Sequence, residues 1–138
     1  MPVDTAYIDV DYLDAVWGKV QGYVERALKH SDGELDASQV RLLLTQRVAH
    51  LFVGTRGEEI VGCMVVEFRS FPNYRVANII AVGGDDMWLD KSMFDRFRKW
   101  AKTKGCSKVE TCCRPAIARL LEQRCGMHQQ YITMRADA

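Results

Sequence analysis

The sequence predicts a mixed α/β (α+β) fold with a central mixed sheet and the element order ααβββαβαβ. Three observations lead there. Apolar residues at helical spacing fill the first third of the chain and return after Gly84. Between them lie three runs rich in β-branched and apolar residues, joined by connections of only a few residues. Two further short strands follow, each preceded by a helical segment. With 138 residues the chain has the length of one domain, taken here as 1–138.

The first helix is set by Leu13, Val16, Trp17, Val20, Val24, Ala27 and Leu28, which share one face at 3.6 residues per turn. Asp9 or Asp11 can cap it, and Gly18 and Gly22 weaken it slightly. Ser31-Asp32-Gly33 breaks the pattern. Asp36 then opens a second, shorter helix with Gln39 three residues on, the spacing of a capping box. Leu51-Phe52-Val53 reads as a strand, Thr55 to Glu58 as a hairpin turn, and Ile60 to Phe68 as a longer strand. Ser70 to Asn73 turns again, and Tyr74 to Val82 forms the third strand, ending at Gly83-Gly84. Connections this short require an antiparallel meander. Leu89, Met93, Phe94, Phe97, Trp100 and Ala101 mark the next helix, which Gly105 closes. Lys108 to Cys112 is a short strand, Pro115 fits the first turn of a helix that stops near Gly126, and Met127 to Met134 reads as a last strand. Strands separated by helices imply crossover connections.

Composition excludes several classes. Apolar residues are 48% and charged residues 27%, which rules out disorder and low complexity. The longest apolar runs, Cys63–Val66 and Ile79–Val82, are far short of the ~20 residues a membrane span needs. The N-terminal MPVDTAYID shows neither the basic nor the apolar region of a signal peptide, and the five cysteines are odd in number, so a reducing cytoplasm is expected. Cysteine spacing suits no metal site, and buried free thiols are expected instead. The net charge of +1 conceals an asymmetry. Residues 1–38 hold three Lys/Arg against eight Asp/Glu, a balance of −5, while residues 91–124 hold ten against three, a balance of +7. Such a chain offers an acidic surface and a basic one.

Several stretches together resemble the GNAT (Gcn5-related N-acetyltransferase) fold from about Tyr12 onward. They are the strand Tyr74–Val82 with its glycines, the helix ending Trp100-Ala101-Lys102-Thr103-Lys104-Gly105-Cys106, and the segment Arg114–Met127. The run Val82-Gly83-Gly84-Asp85-Asp86-Met87-Trp88-Leu89 further resembles GNAT-like proteins encoded by tailed bacteriophages. The resemblance implies an acyl-CoA site where backbone amides of a strand–loop–helix cradle a diphosphate. Here that stretch would use Gly83, Gly84 and Lys91. It lacks the family's Arg/Gln-x-x-Gly-x-Gly pattern and carries Asp85 and Asp86, one of which is expected to cap the following helix. The tyrosine by which many of these enzymes protonate the leaving thiolate falls here on Leu121, so no general acid is found.

Glu67 and Glu110 are the candidates for a general base, set against solvent-facing strand positions as the plainer alternative. His50 and His128 read as surface histidines at strand edges, and Cys112 or Cys113 beside Arg114 as a weak nucleophile candidate. Trp17, Phe94, Phe97 and Trp100 read as core; Trp88 fits no stripe and could plug a cofactor groove. Three functions are weighed. The first is an acetyl-CoA-dependent N-acetyltransferase of unknown acceptor. The second is a non-catalytic phage virion or assembly protein that binds other proteins, with no cofactor, located in the host cytoplasm or the virion. The third is a nucleic-acid binder using the basic 91–124 segment, against which the lack of a recognised motif counts. The altered loop and missing tyrosine tilt the reading from sequence toward the second.

Overall fold

The structure is a computed structural model and describes residues 2–85 and 90–138. Five strands form one sheet in the order β1-β2-β3-β4-β5: β1 Asp4–Ile8, β2 Ala49–Arg56, β3 Glu59–Ser70, β4 Arg75–Gly84 and β5 Lys108–Thr111. The first four pair antiparallel, and β5 joins β4 in parallel. Four helices complete the fold: α1 Leu13–Leu28, α2 Ala37–Thr45, α3 Lys91–Thr103 and α4 Pro115–Cys125. The meander and the helical crossover between β4 and β5 are as the sequence predicts. Two elements differ. An N-terminal strand, β1, joins the edge of the sheet through β2, and residues 127–138 take up no strand. The predicted strand over Met127–Met134 does not form, and Arg135 ties the segment by ion pairs to Asp32 (3.0 Å) and Glu34 (3.4 Å).

Strand alternation divides the core in two. On one face Phe52, Met64, Val66, Ala77 and Ile79 pack against Phe94, Phe97 and Ala101 of α3 and Leu121 and Cys125 of α4. On the other, Leu51, Val53, Cys63, Val65 and Ala81 pack against Trp17, Val20 and Val24 of α1 and Val40 and Leu44 of α2. Each Val, Leu, Ile, Phe or Met among them contributes roughly 1.5–3 kcal/mol on burial, so docking holds α1 together despite its two glycines. Trp100 is only partly buried and lies at the edge of an aromatic cluster with Phe52, Phe68 and Phe97.

The local signals act as expected at most boundaries. Asp36 and Gln39 form the capping box of α2. Asp9 accepts a hydrogen bond from the Asp11 amide and opens a short 3-10 turn ahead of α1. Pro115 starts α4, and Gly126, at φ 68°, ends it. The opposite charges sort onto opposite faces, because the acidic segment builds α1 and α2 while the basic one builds α3, β5 and α4. Among the described residues no helix is long and apolar enough to cross a membrane.

Candidate functional site

The sheet opens between β4 and β5. Val76 to Ile79 pair with Lys108 to Thr111, and the Thr111 hydroxyl donates to the Ile79 carbonyl at 3.0 Å on the last rung. From Ile80 to Gly84, β4 runs on without β5 beside it. A bulge falls at the same point: Val66 faces Ile79 and Val65 faces Ala81, so Ile80 opposes no residue of β3. A bulge bends its strand and increases the local twist, here just where the two strands part. Beyond this point the strand continues with β3 on one side and no longer with β5 on the other. Where backbone amides and carbonyls of a strand edge are not paired with another strand, they suit an extended ligand with peptide-like groups.

Next to the point where the β4–β5 pairing ends, one row of the sheet carries polar side chains. Glu67 on β3 pairs with Asn78 on β4, and Asn78 with Glu110 on β5. Cross-strand partners share a face, and alternation from Cys63 and Val65 puts this row on the α1–α2 side. Asn78 is the buried polar residue of the sheet, at 7% exposure. Its amide donates to Glu67 Oε1 at 3.0 Å, and Arg69 Nε donates to the same oxygen at 3.1 Å. Two donors on one oxygen fix the carboxylate and leave Oε2 without a protein partner among the described residues. The Glu67 side chain is 25% exposed, so a water or an amine can reach it. Glu110 is half-buried at the β5 end of the row. The two predicted carboxylates are thus brought to one row. Asn78, which links them, was overlooked from sequence. Its signal was there: a lone amide within the apolar strand, aligned with Glu67 by the Ser70–Arg75 hairpin.

The predicted cofactor residues are placed differently from one another. Gly83 lies within β4, and a Cβ there would come to 2.8 Å from the Tyr23 carbonyl oxygen of α1. Glycine at this position therefore permits α1 to approach the strand. Gly84 pairs with Gly62 across β3. Lys91 opens α3, and its ammonium is paired with Asp95 at 2.8 Å on an exposed surface. The expected aspartate cap is corrected. Asp85 does not cap α3; it accepts a hydrogen bond from the Tyr23 hydroxyl at 2.9 Å, while Asp90 caps the helix through the Met93 amide. Asp86 and Trp88 lie outside the described residues.

Other candidates fall away from this row. His50 is half-buried on the α3 side of the sheet, 3.1 Å from the Tyr7 hydroxyl and packed on Phe68 and Trp100. Burial, then Lys104 and Arg75, holds its pKa below the ordinary value. His50 is therefore not the exposed edge histidine expected from sequence, whereas His128 is exposed. Cys63, Cys106 and Cys125 are buried and Cys112 and Cys113 exposed. Burial and the neighbouring Cys112 push the Cys113 thiol up, which disfavours the thiolate a nucleophile needs. Leu121 is buried in the core, so the position of the absent tyrosine is filled by hydrocarbon. Among the described residues no group of His, Cys, Asp or Glu could hold a metal ion.

No family model and no curated relative matches this sequence. Solved structures do. An aminoglycoside acetyltransferase from an uncultured soil metagenomic sample, in complex with sisomicin, superposes with a TM-score of 0.71 over 99% of this chain and 96% of its own, at 14% identity. The fold is that of the GNAT acetyltransferases. A ribosomal-protein-alanine N-acetyltransferase from Brucella melitensis biovar Abortus 2308 gives a TM-score of 0.68 at 15% identity, covering 99% of each chain. A possible acetyltransferase from Clostridium difficile 630 gives 0.65 at 16% identity, covering 100% of this chain and 98% of its own. At such identities the GNAT likeness is one of fold, and function has to be argued from the site.

Proposed function

We propose that this protein is an acyl-CoA-dependent N-acyltransferase. The observation that carries the reading is the end of the β4–β5 pairing at the Ile80 bulge, beside the row Glu67–Asn78–Glu110. Along this edge the backbone of Ile80 to Val82, no longer beside β5, suits the amides of a pantetheine arm. The fit is poorer at the diphosphate end, where Asp85 and Asp90 add negative charge. The thioester supplies an activated acyl group. Glu67, held through Oε1 and partly exposed, takes a proton from an incoming ammonium, directly or through one water. Asn78 and Arg69 keep Glu67 oriented while it does so. An amide C–N bond replaces the thioester C–S bond; with no side-chain acid at Leu121, the second nitrogen proton passes through water to the departing thiolate, which leaves as the CoA thiol. The name of one structural neighbour, a ribosomal-protein-alanine N-acetyltransferase, supports nitrogen as the acceptor atom.

The test is binding followed by turnover. Acetyl-CoA at 100 times its dissociation constant should stabilise the fold by about 2.7 kcal/mol in a thermal melt. Free CoA should then appear when a panel of primary amines is added. A second reading is favoured by the hydrocarbon at Leu121 and by the exposed Tyr131, Ile132 and Met134. In it the protein is a non-catalytic partner-binding component, of the kind used in phage virion assembly. No melt shift at millimolar acetyl-CoA would decide for that second reading.

A further inference from the structure

The end of the sheet where β4 begins carries rings and cations in alternation. There β4 follows the Ser70–Arg75 hairpin, β5 starts at Lys108, and α3 has just ended at Thr103. Three cations each stand against a ring. The Arg75 guanidinium is 4.3 Å from the centre of Phe68, Lys104 Nζ 5.9 Å from that of Trp100, and Lys108 Nζ 5.0 Å from that of Tyr74. The pairs are contiguous. Phe68 and Trp100 stack with centres 5.6 Å apart, and Arg75 Nη1 donates to the Lys104 carbonyl at 2.7 Å. The Ser107 amide donates to the Arg75 carbonyl at 2.9 Å, which brings Lys108 beside Tyr74. Phe71 continues the strip, edge-on to Tyr74 at 5.7 Å. Phe71 is 49% exposed and Tyr74 40%, and both lysines are exposed.

The fold does not neutralise these cations. Among the described residues none of Arg75, Lys104 and Lys108 forms an ion pair, whereas Arg41, Lys91 and Arg135 do. Their field reaches His50, whose pKa is lowered by burial and then by Lys104 and Arg75. Free positive charge alone suits any polyanion, and exposed rings alone suit any apolar surface. In alternation they match a chain that carries spaced negative charges and flat faces free to stack. An acidic peptide supplies the charges without the faces, and a duplex keeps its faces inside its own stack.

We infer that this strip binds single-stranded nucleic acid, with Phe71 and Tyr74 stacking on bases and Arg75, Lys104 and Lys108 meeting phosphates. Half of it comes from the β3–β4 hairpin, outside the basic 91–124 segment. It lies at the opposite end of β4 from Ile80 to Gly84, so it does not depend on the acyl-CoA reading.

The experiment is fluorescence anisotropy on the full chain, with a labelled oligothymidylate of about twelve nucleotides as the probe. Three phosphate contacts on a single strand predict a slope of log affinity against log salt of about −2. Lys104→Gln and Lys108→Gln should each make that slope shallower by about 0.7. Tyr74→Ala and Phe71→Ala should each weaken binding about fivefold or more without changing the slope, and Tyr74→Phe should bind as wild type. Arg96→Gln and Arg119→Gln remove exposed charges of α3 and α4 outside the strip and should stay within about twofold of wild type at about 0.15 M salt. No binding at about 10⁻⁴ M protein in low salt would overturn the inference. So would full affinity in both Tyr74→Ala and Phe71→Ala, or losses in Arg96→Gln and Arg119→Gln as large as those in the two lysine variants. Duplex DNA or polyglutamate bound as tightly as the oligothymidylate would overturn it too, by showing a contact of charge alone.

Discussion

Replacing Gly83 by alanine tests how closely α1 is fitted to the open end of β4. The added methyl would lie 2.8 Å from the Tyr23 carbonyl oxygen and 3.5 Å from its carbonyl carbon. Ordinary van der Waals contact begins near 3.4 Å, so the methyl and the oxygen must separate by several tenths of an ångström. The obstacle is helix backbone, and α1 is pinned by Trp17, Val20 and Val24 in the core. Overpacking against a part that cannot turn aside costs about 1–3 kcal/mol. For a domain of this size that is roughly 3–10 °C in Tm. Gly18→Ala and Gly22→Ala are the controls, because a Cβ at either position meets nothing within 4 Å. Both lie inside α1, where alanine gains about 0.5–1 kcal/mol over glycine. Chemical denaturation of the three variants should therefore give opposite signs. A Gly83→Ala protein as stable as wild type, or one that moves with the two controls, would refute the close packing of α1 on β4.

Three further outcomes follow from the structure. Glu67→Gln should lower kcat by about 10²–10³-fold while leaving the acetyl-CoA dissociation constant within a factor of about two, read by steady-state kinetics and calorimetry. Burial pushes the Cys63 thiol from 9.0 up to about 12. Its folded pKa is raised, so its contribution to stability is whole below pH 9 and is lost as pH rises toward 12, on the order of 4 kcal/mol in all. Denaturation of Cys63→Val should lack that alkaline fall, and alkylation of the native protein at pH 8 should mark Cys112 and spare Cys63. Asp36→Ala removes the capping box of α2 and should cost about 1 kcal/mol by urea unfolding, with Asp36→Ser restoring most of it.

What could be read from sequence was local. The helix stripes, the Asp36–Gln39 box, the stops at Gly105 and Gly126 and the two tight connections of the meander each depend on neighbouring residues, and each is found in the structure. The misses depend on distant partners. β1 is short, mostly exposed and paired with a strand over 40 positions away, so its sequence carries little period. The stretch from Met127 has the composition of a strand and finds no strand to pair with. Gly83 looks like a loop glycine until the carbonyl of Tyr23 appears beside it. Asp85 looks like a helix cap until Tyr23 takes it and Asp90 serves instead. The carboxylate row lies between these cases. Hairpin counting aligns Glu67 with Asn78, but Glu110 joins only through a parallel pairing that needs the α3 crossover.

The central claim is that the open edge of β4 receives the acyl donor. Titration of ¹⁵N-labelled protein with acetyl-CoA, followed by amide chemical shifts, measures it most directly. The account predicts saturable shifts largest at Ile80, Ala81, Val82 and Gly84, extending to the first turn of α3, with β1 and the far end of β2 unmoved. Shifts confined to the outer basic surface of α3 around Arg96 and Lys99, or none at millimolar acetyl-CoA, would contradict it.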